Sequence, residues 1–277
     1  MISVVIPVYN GGDYLFPAVK SIIEQTFYEI EIICIDDGST DKSLSILRYL
    51  QVMDSRIRVI TRKNKGLIYT LNEAISISQY DFIARMDSDD ISMSNRLESQ
   101  LNLLKGSKHI GVVGCRYEYI DENGKFIATR KKMCSDYFIK AMMIFGSTIC
   151  HPSVMFDRKK IGNDLIYRYG FEHAEDYELW LRLMKKGIFF RNTEEVLFKY
   201  RLLNTSISRK HSEIQCRNMV SSVKEHLSRK NNLSGEMLFN YYFKSKSKFD
   251  FFVFIIFGTL NGWKYILIRL MWFFIRK

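Results

Sequence analysis

Three carboxylates stand within the four positions Asp87-Ser88-Asp89-Asp90, directly behind the apolar run Phe82-Ile83-Ala84. Carboxylates this close repel one another, and repulsion plus desolvation raises their pKa values unless a cation joins them. Hard oxygen ligands suit Mg²⁺ or Mn²⁺ better than Zn²⁺. Open α/β sheets also gather their ligands at the carboxyl ends of strands, which is where this cluster falls. The competing reading is an acidic turn that opens the next helix, with Asp89 or Asp90 as its cap. The elements that would present the cluster bear on that choice.

Ile2–Val8 is a β-branched run without alternation, as in a strand buried on both faces. It ends in Pro7-Val8-Tyr9-Asn10-Gly11-Gly12, where glycines permit a tight turn. Apolar spacing then predicts a helix over Tyr14–Glu24 and a second buried strand over Glu31–Ile35, leading into Asp36-Asp37-Gly38-Ser39-Thr40-Asp41. A helix to about Leu50, a strand Ile57–Thr61 and a helix Leu67–Ser78, opened by Asn64-Lys65-Gly66, complete the approach to the acidic cluster. This alternation predicts βαβ units and a mostly parallel, Rossmann-like sheet flanked by helices. Right-handed crossovers would bring Tyr9, Asp37 and Asp87 to one edge of that sheet. Downstream, the pattern predicts a helix Arg96–Lys105, a hairpin of Gly111–Ile120 and Lys125–Thr129, a helix Phe138–Phe145 and a strand His151–Phe156. An acidic-headed helix Glu172–Lys186 and a last strand Val196–Leu202 follow, with no internal repeat.

A chain of 277 residues, 47% hydrophobic, excludes a disordered protein and is long enough for one large or two modest domains. Five cysteines with no CxxC pair read as reduced, mostly buried thiols of a cytosolic protein. The first apolar run lacks a basic leader and stops at Pro7, so it does not read as a signal peptide. The net charge of +11 is concentrated late: residues 201–277 hold 14 Lys and Arg against four acidic residues. The globular domain is accordingly expected over 1–205 and a basic, helical region over 206–277. Phe249–Leu260 is apolar, but Asn261-Gly262 interrupts it before the roughly 20 residues that a transmembrane helix needs. Trp263–Phe274, apolar with basic residues and two tryptophans, suits a helix lying in a membrane interface. A membrane surface is therefore the expected partner of the tail, with no nucleic acid, and attachment is expected to be peripheral or monotopic. Snorkelling of Lys264 and Arg269 leaves a tilted span as the alternative.

Five stretches, in order, resemble one known family, the inverting family 2 glycosyltransferases with the GT-A fold. They are Ser3-Val4-Val5-Ile6-Pro7-Val8-Tyr9-Asn10, Ile35-Asp36-Asp37-Gly38-Ser39-Thr40-Asp41, Ala84-Arg85-Met86-Asp87-Ser88-Asp89-Asp90, His151-Pro152-Ser153-Val154-Met155 and Glu175-Asp176-Tyr177-Glu178-Leu179-Trp180-Leu181-Arg182-Leu183. The resemblance covers about residues 1–208. It implies that Asp37 accepts a hydrogen bond from a nucleotide base, usually uracil, while Pro7 and Tyr9 pack on base and ribose. For Tyr9 the alternative is a core aromatic. Asp87 and Asp89 match the family's DxD: Asp89 is then expected to bind a divalent metal, Mn²⁺ or Mg²⁺, and Asp87 to reach the ribose or share the metal. Lys65 is expected near the nucleotide. Asp90 reads as structural, and Asp36, Ser39 or Asp41 as shaping the loop.

Asp176 is expected to be the general base, since inversion needs a carboxylate to take the acceptor's proton opposite the leaving diphosphate. Favourable charge at a helix N-terminus is the alternative account of Glu175 and Asp176. Glu175, Trp180 and His151 are weaker candidates for the acceptor side. Many relatives carry His near Tyr200-Arg201-Leu202-Leu203-Asn204; Leu203 here cannot donate, which leaves Arg201 or Asn204 to reach the diphosphate. The implied reaction moves a sugar from a nucleotide-diphospho-sugar donor, expected to be UDP-linked, to a lipid-linked or oligosaccharide acceptor at the cytoplasmic face of the plasma membrane. Rival readings are a sugar nucleotidyltransferase, which would need a glycine-rich basic loop after the first strand, and a non-catalytic membrane- or nucleic-acid-binding module.

Overall fold

The computed structural model of the chain describes residues 1–143, 146–203 and 212–226. They belong to two compact units. The first comprises Met1–Ser135, Ile149–Ile166 and Ile188–Leu203; the second comprises the described residues of Asp136–Thr148, Tyr167–Gly187 and 212–226.

The first unit is built on one sheet, whose strands are β1 (Ile2–Val8), β2 (Ile30–Asp36), β3 (Ile57–Thr61), β4 (Phe82–Arg85), β5 (Ile91–Ser92), β6 (Ile110–Ile120), β7 (Phe126–Arg130), β8 (Met155–Asp157) and β9 (Phe189–Arg201). Their order is β3-β2-β1-β4-β8-β6-β9-β5, with β7 added to β6. Every residue of β1 is buried, which explains why its sequence is apolar without alternation. It lies between β2 and β4, parallel to both.

The expectation of a mostly parallel sheet needs correction. β8 runs antiparallel to both of its neighbours, β4 and β6, and the β5–β9 and β6–β7 pairs are antiparallel as well. The sheet is mixed: its parallel half, β3-β2-β1-β4, carries the acidic stretches after β2 and β4, and strand direction reverses at β8. The predicted strand His151–Phe156 is likewise only half right. His151–Ser153 forms a 3-10 turn and the strand begins at Met155. Pro152 sits in the first turn, where its fixed φ and missing N–H are tolerated.

Helices α1 (Leu15–Ile23), α2 (Ser43–Met53), α3 (Leu67–Ile77), α4 (Arg96–Lys105) and the short α6 (Arg158–Ile161) complete this unit. α1 buries Leu15, Ala18, Val19 and Ile22, one helical face at i, i+3, i+4 and i+7. Burying Leu15, Val19 and Ile22 contributes about 1.5–3 kcal/mol each. α4 buries Leu97, Leu101 and Leu104 together with the polar Gln100. The Gln100 amide donates to Val113 O at 3.0 Å and Ser153 O at 2.7 Å, joining β6 to the turn before β8.

The second unit contains α5 (Asp136–Met142), α7 (Glu175–Lys185) and α8 (Ser212–His226). The Tyr177 hydroxyl of α7 donates to Met143 O just past α5, at 2.7 Å. α7 starts later than its acidic pattern predicts because His173 adopts φ +68, a left-handed conformation that cannot continue a helix. The predicted interface helix and most of the basic region, residues 227–277, lie outside the described residues. Among the described residues no helix is long and apolar enough to cross a membrane.

One backbone feature fixes the loop behind Asp37. Gly38 has φ +78, and a Cβ there would stand 2.8 Å from Asn64 N and 3.1 Å from Arg62 O. Left-handed strain costs a non-glycine residue about 1–3 kcal/mol, and here backbone atoms would also have to move. Gly38→Ala is expected to lower unfolding free energy by at least about 1 kcal/mol in urea denaturation; an unchanged midpoint would mean that the two loops do not pack as described.

Candidate active site

The carboxyl ends of β1, β2 and β3 are tied together through their loops. Asn10, at φ +53, accepts from Thr40 N at 2.8 Å through its side chain, and its own N–H donates to Ser39 Oγ at 3.0 Å. Gly11 N donates to Ser43 Oγ and Gly12 N to Asp41 Oδ2, each at 2.9 Å. A Cβ on Gly11 would come within 3.3 Å of Ser88 Oγ, so glycine lets the first loop pass against the acidic one. Tyr9 stands beside this junction with 55% of its surface exposed, which removes the core-aromatic reading. Pro7, by contrast, is buried within β1 and forms floor rather than an open stacking face.

Asp36 and Asp37 divide the work expected of their stretch. Asp36 shapes the loop: its Oδ1 accepts from Ser39 N at 3.2 Å and its Oδ2 from the Thr61 hydroxyl at 2.8 Å. Asp37 is only 4% exposed and clamps the loop after β3. Its Oδ1 accepts from Arg62 Nη1 and from Lys65 N (2.8 Å), and its Oδ2 accepts from Gly66 N at 2.9 Å. A carboxylate offers about four acceptor positions, so one remains, on Oδ2. The sequence reading missed Arg62, which also donates to Glu73 Oε2 at 2.8 Å and Thr70 Oγ1 at 2.9 Å. Its position one residue past β3, on the same sheet edge as Asp37, was the available signal. Lys65 meets Asp37 through its backbone N–H; its ammonium turns away, donating to the Tyr69 hydroxyl at 3.0 Å and lying 4.2 Å from that ring's centre.

Beyond β4, carboxylate oxygens of Asp87, Asp89 and Asp90 all lie within 4.8 Å of one another. Asp87 pairs with Arg85, whose guanidinium is buried. Burial, reinforced by the charge of Asp87, pushes the Asp89 carboxyl up to about 6. Asp90, fully enclosed, is raised well above the carboxylate range by burial and then by Asp89 and Asp87. Its Oδ1 accepts from Arg201 N at 2.7 Å, the anchoring role expected of it, while its buried Oδ2 has no hydrogen-bond partner among the described residues. This is a set of hard oxygen donors short of positive charge, which fits a divalent cation held by Asp87 and Asp89. Arg201, proposed from sequence as a diphosphate contact, is instead 6% exposed and engaged with backbone carbonyls. His151, at the turn before β8, is half-buried; burial and then nearby Arg85 hold its pKa well below the usual imidazole value, so it stays neutral.

In the second unit, Asp176 lies in the first turn of α7, partly accessible, next to buried Glu175. Trp180 is fully buried, which corrects its candidacy for an acceptor wall: it is core. The same helix carries a feature not read from sequence. Glu178, with no exposed surface, accepts from Arg182 Nε at 2.9 Å and stands 2.9 Å from His226 Nε2 of α8, with Arg168 at 3.5 Å. Hydrogen bonds from His226 and Arg182 outweigh the effect of burial and hold the Glu178 carboxyl below its ordinary value.

Residues 3–165 match glycosyl transferase family 2. The chain is 34% identical to the O-antigen biosynthesis glycosyltransferase WbnJ of Escherichia coli over 74% of its own length and 81% of that protein. It is 32% identical to the E. coli UDP-Glc:alpha-D-GlcNAc-diphosphoundecaprenol beta-1,3-glucosyltransferase WfgD, covering 75% of this chain and 79% of the relative. Among solved structures, S. aureus TarS 1-349 in complex with UDP-GlcNAc superposes with a TM-score of 0.67 at 16% identity, over 98% of this chain and 80% of that one, a likeness of fold. The chain belongs to glycosyl transferase family 2 and is a glycosyltransferase.

Proposed function

We propose that this enzyme transfers a sugar from a UDP-linked donor to a hydroxyl of a lipid-linked oligosaccharide, with inversion at the anomeric carbon, during assembly of a cell-surface polysaccharide. The observation that carries the donor half is the acidic cluster beyond β4, with carboxylate oxygens within 4.8 Å of one another on the same sheet edge as Asp37. The acceptor class draws support from WfgD, named for a diphosphoundecaprenol-linked acceptor, and the pathway class from WbnJ. We place the reaction at the cytoplasmic membrane surface, with the basic C-terminal region as the attachment.

In this reading the remaining acceptor position on Asp37 Oδ2 takes the uracil N3–H, and the exposed Tyr9 ring covers the base. A base without that donor would leave the fourth acceptor position of this buried carboxylate unfilled, which disfavours it. Arg85 holds Asp87 toward ribose and diphosphate. Asp87 and Asp89 would hold Mn²⁺ or Mg²⁺, which when bound supplies positive charge to the departing diphosphate. Asp176 accepts the proton of the acceptor hydroxyl while that oxygen bonds to C1 and the C1–O bond to the diphosphate breaks.

Release of nucleotide from a panel of donors, with Mn²⁺ or Mg²⁺ and a polyprenyl-diphosphate sugar, tests the assignment; turnover confined to non-uridine donors would sink the UDP reading. Asp176→Asn is expected to lower turnover by about 10²–10⁴-fold while UDP affinity stays within about twofold. A matching loss of UDP binding would remove Asp176 from the role of base. Asp89→Asn makes a separate prediction for the metal-free protein. Because the folded-state pKa of Asp89 is raised to about 6, its ionisation costs stability as pH climbs from about 4 to 6 and costs it fully above. The variant is therefore expected to melt above wild type at pH 7.5, by an amount on the order of 1–3 kcal/mol, and to show no gain at pH 4. Equal melting of the two proteins at pH 7.5 would contradict the crowding of charge described here.

A further inference from the structure

Arg201 closes β9, and three donor groups of this one residue make four hydrogen bonds around the acidic cluster. Its N–H donates to Asp90 Oδ1 at 2.7 Å. Its Nε donates to the carbonyl of Asp89 at 2.8 Å. Nη1 donates to the carbonyls of Asp121 and Glu122, both at 3.0 Å, at the turn between β6 and β7. The guanidinium lies 4.7 Å from the centre of the Tyr14 ring, which follows the first loop. With 6% of its surface exposed, the side chain is a brace inside the protein.

The consequence is geometric. A guanidinium is a planar fork whose donors point in fixed directions, so bonds to Asp89 O on one side and to the β6–β7 turn on the other set the distance between those backbones. The Asp90 carboxylate is held by the same residue, while Asp87 is held by Arg85. Among the described residues no side chain hydrogen-bonds the Asp89 carboxylate, so it is aimed through its backbone, and that backbone is what Arg201 grips. A long ammonium side chain could keep the charge but not the three-way bond.

We propose that Arg201 is a positioning residue for the cation site, fixing the Asp89 carboxylate against Asp87 by bracing the acidic loop on the β6–β7 turn, rather than a ligand of the diphosphate. This rests on the reading of the cluster as a cation site in the proposed function. Outer-shell partners of metal ligands typically contribute 10–100-fold in affinity.

The test compares wild type with Arg201→Lys by electron paramagnetic resonance titration of Mn²⁺, with and without UDP, alongside UDP binding in EDTA and thermal melting. Expected is a loss of Mn²⁺ affinity of about tenfold or more, a matching rise in the Mn²⁺ concentration needed for turnover, and UDP affinity in EDTA unchanged within about twofold. If Arg201→Lys does not fold, Tyr14→Leu removes the ring beneath the guanidinium and is expected to weaken Mn²⁺ about threefold, on a scale set by a cation–π contact. Unchanged Mn²⁺ affinity in a folded variant overturns the proposal, as does a wild type that holds no Mn²⁺. An equal loss of UDP affinity in EDTA would instead make Arg201 a direct diphosphate ligand. Failure of the wild type to release nucleotide from any donor would refute the transfer reaction alone, because the Mn²⁺ titration still decides the brace.

Discussion

Everything at the carboxyl edge of this sheet is conditioned by the desolvation of negative charge. Asp36, Asp37 and Asp90 are buried, and Asp87 and Asp89 are only partly open. A buried ionised carboxylate is tolerated only if donors or cations surround it. The protein satisfies that condition unevenly. Asp36 and Asp37 are answered by hydroxyls, backbone N–H groups and Arg62, and Asp87 by Arg85. Around Asp89 and Asp90 the compensation is incomplete, and their raised pKa values report the shortfall. The fold thus supplies the donors that hold the loops and leaves a local deficit where chemistry is proposed.

Placement of that deficit follows from topology. β1, β2 and β4 are adjacent and parallel, so their carboxyl ends must lie together. The loops are then bound to each other: Gly11 against Ser88, Gly38 against Asn64, Asn10 to Ser39 and Thr40. Each tie is short-ranged; a side chain at Gly38 would meet the Asn64 backbone at 2.8 Å, and one at Gly11 would press on Ser88. A loop assembly of this kind holds polar groups in fixed directions without help from the hydrophobic core beneath it.

How much of this could be read from residues alone varies with the range of the interaction involved. β1, β3 and α4 end where their patterns predict, because burial of both faces of β1, one face of β3 and one face of α4 leaves a local signature. The reversal of direction at β8 left none: three residues, Met155–Asp157, carry no mark of which way their neighbours run. Trp180 was ambiguous because α7 buries Tyr177, Leu179, Trp180, Leu181 and Leu183 on nearly all sides, so periodicity cannot separate core from cleft. The arginines were read least well. Arg62 and Arg96 look like solvated charges in the chain and Arg201 like a diphosphate contact, and only partners from other parts of the chain show where they are engaged. Arg96 is fully buried, donating to Arg85 O at 3.2 Å and lying 5.3 Å from the Phe198 ring.

The link between Glu178 and His226 has a mechanical side. His226 is the final residue of α8, and it meets Glu178 two positions along from Asp176 in the adjoining helix. The turn of α7 that bears Asp176 is therefore clasped from the side by α8 through a buried polar pair, so displacement of one helix is resisted by the other.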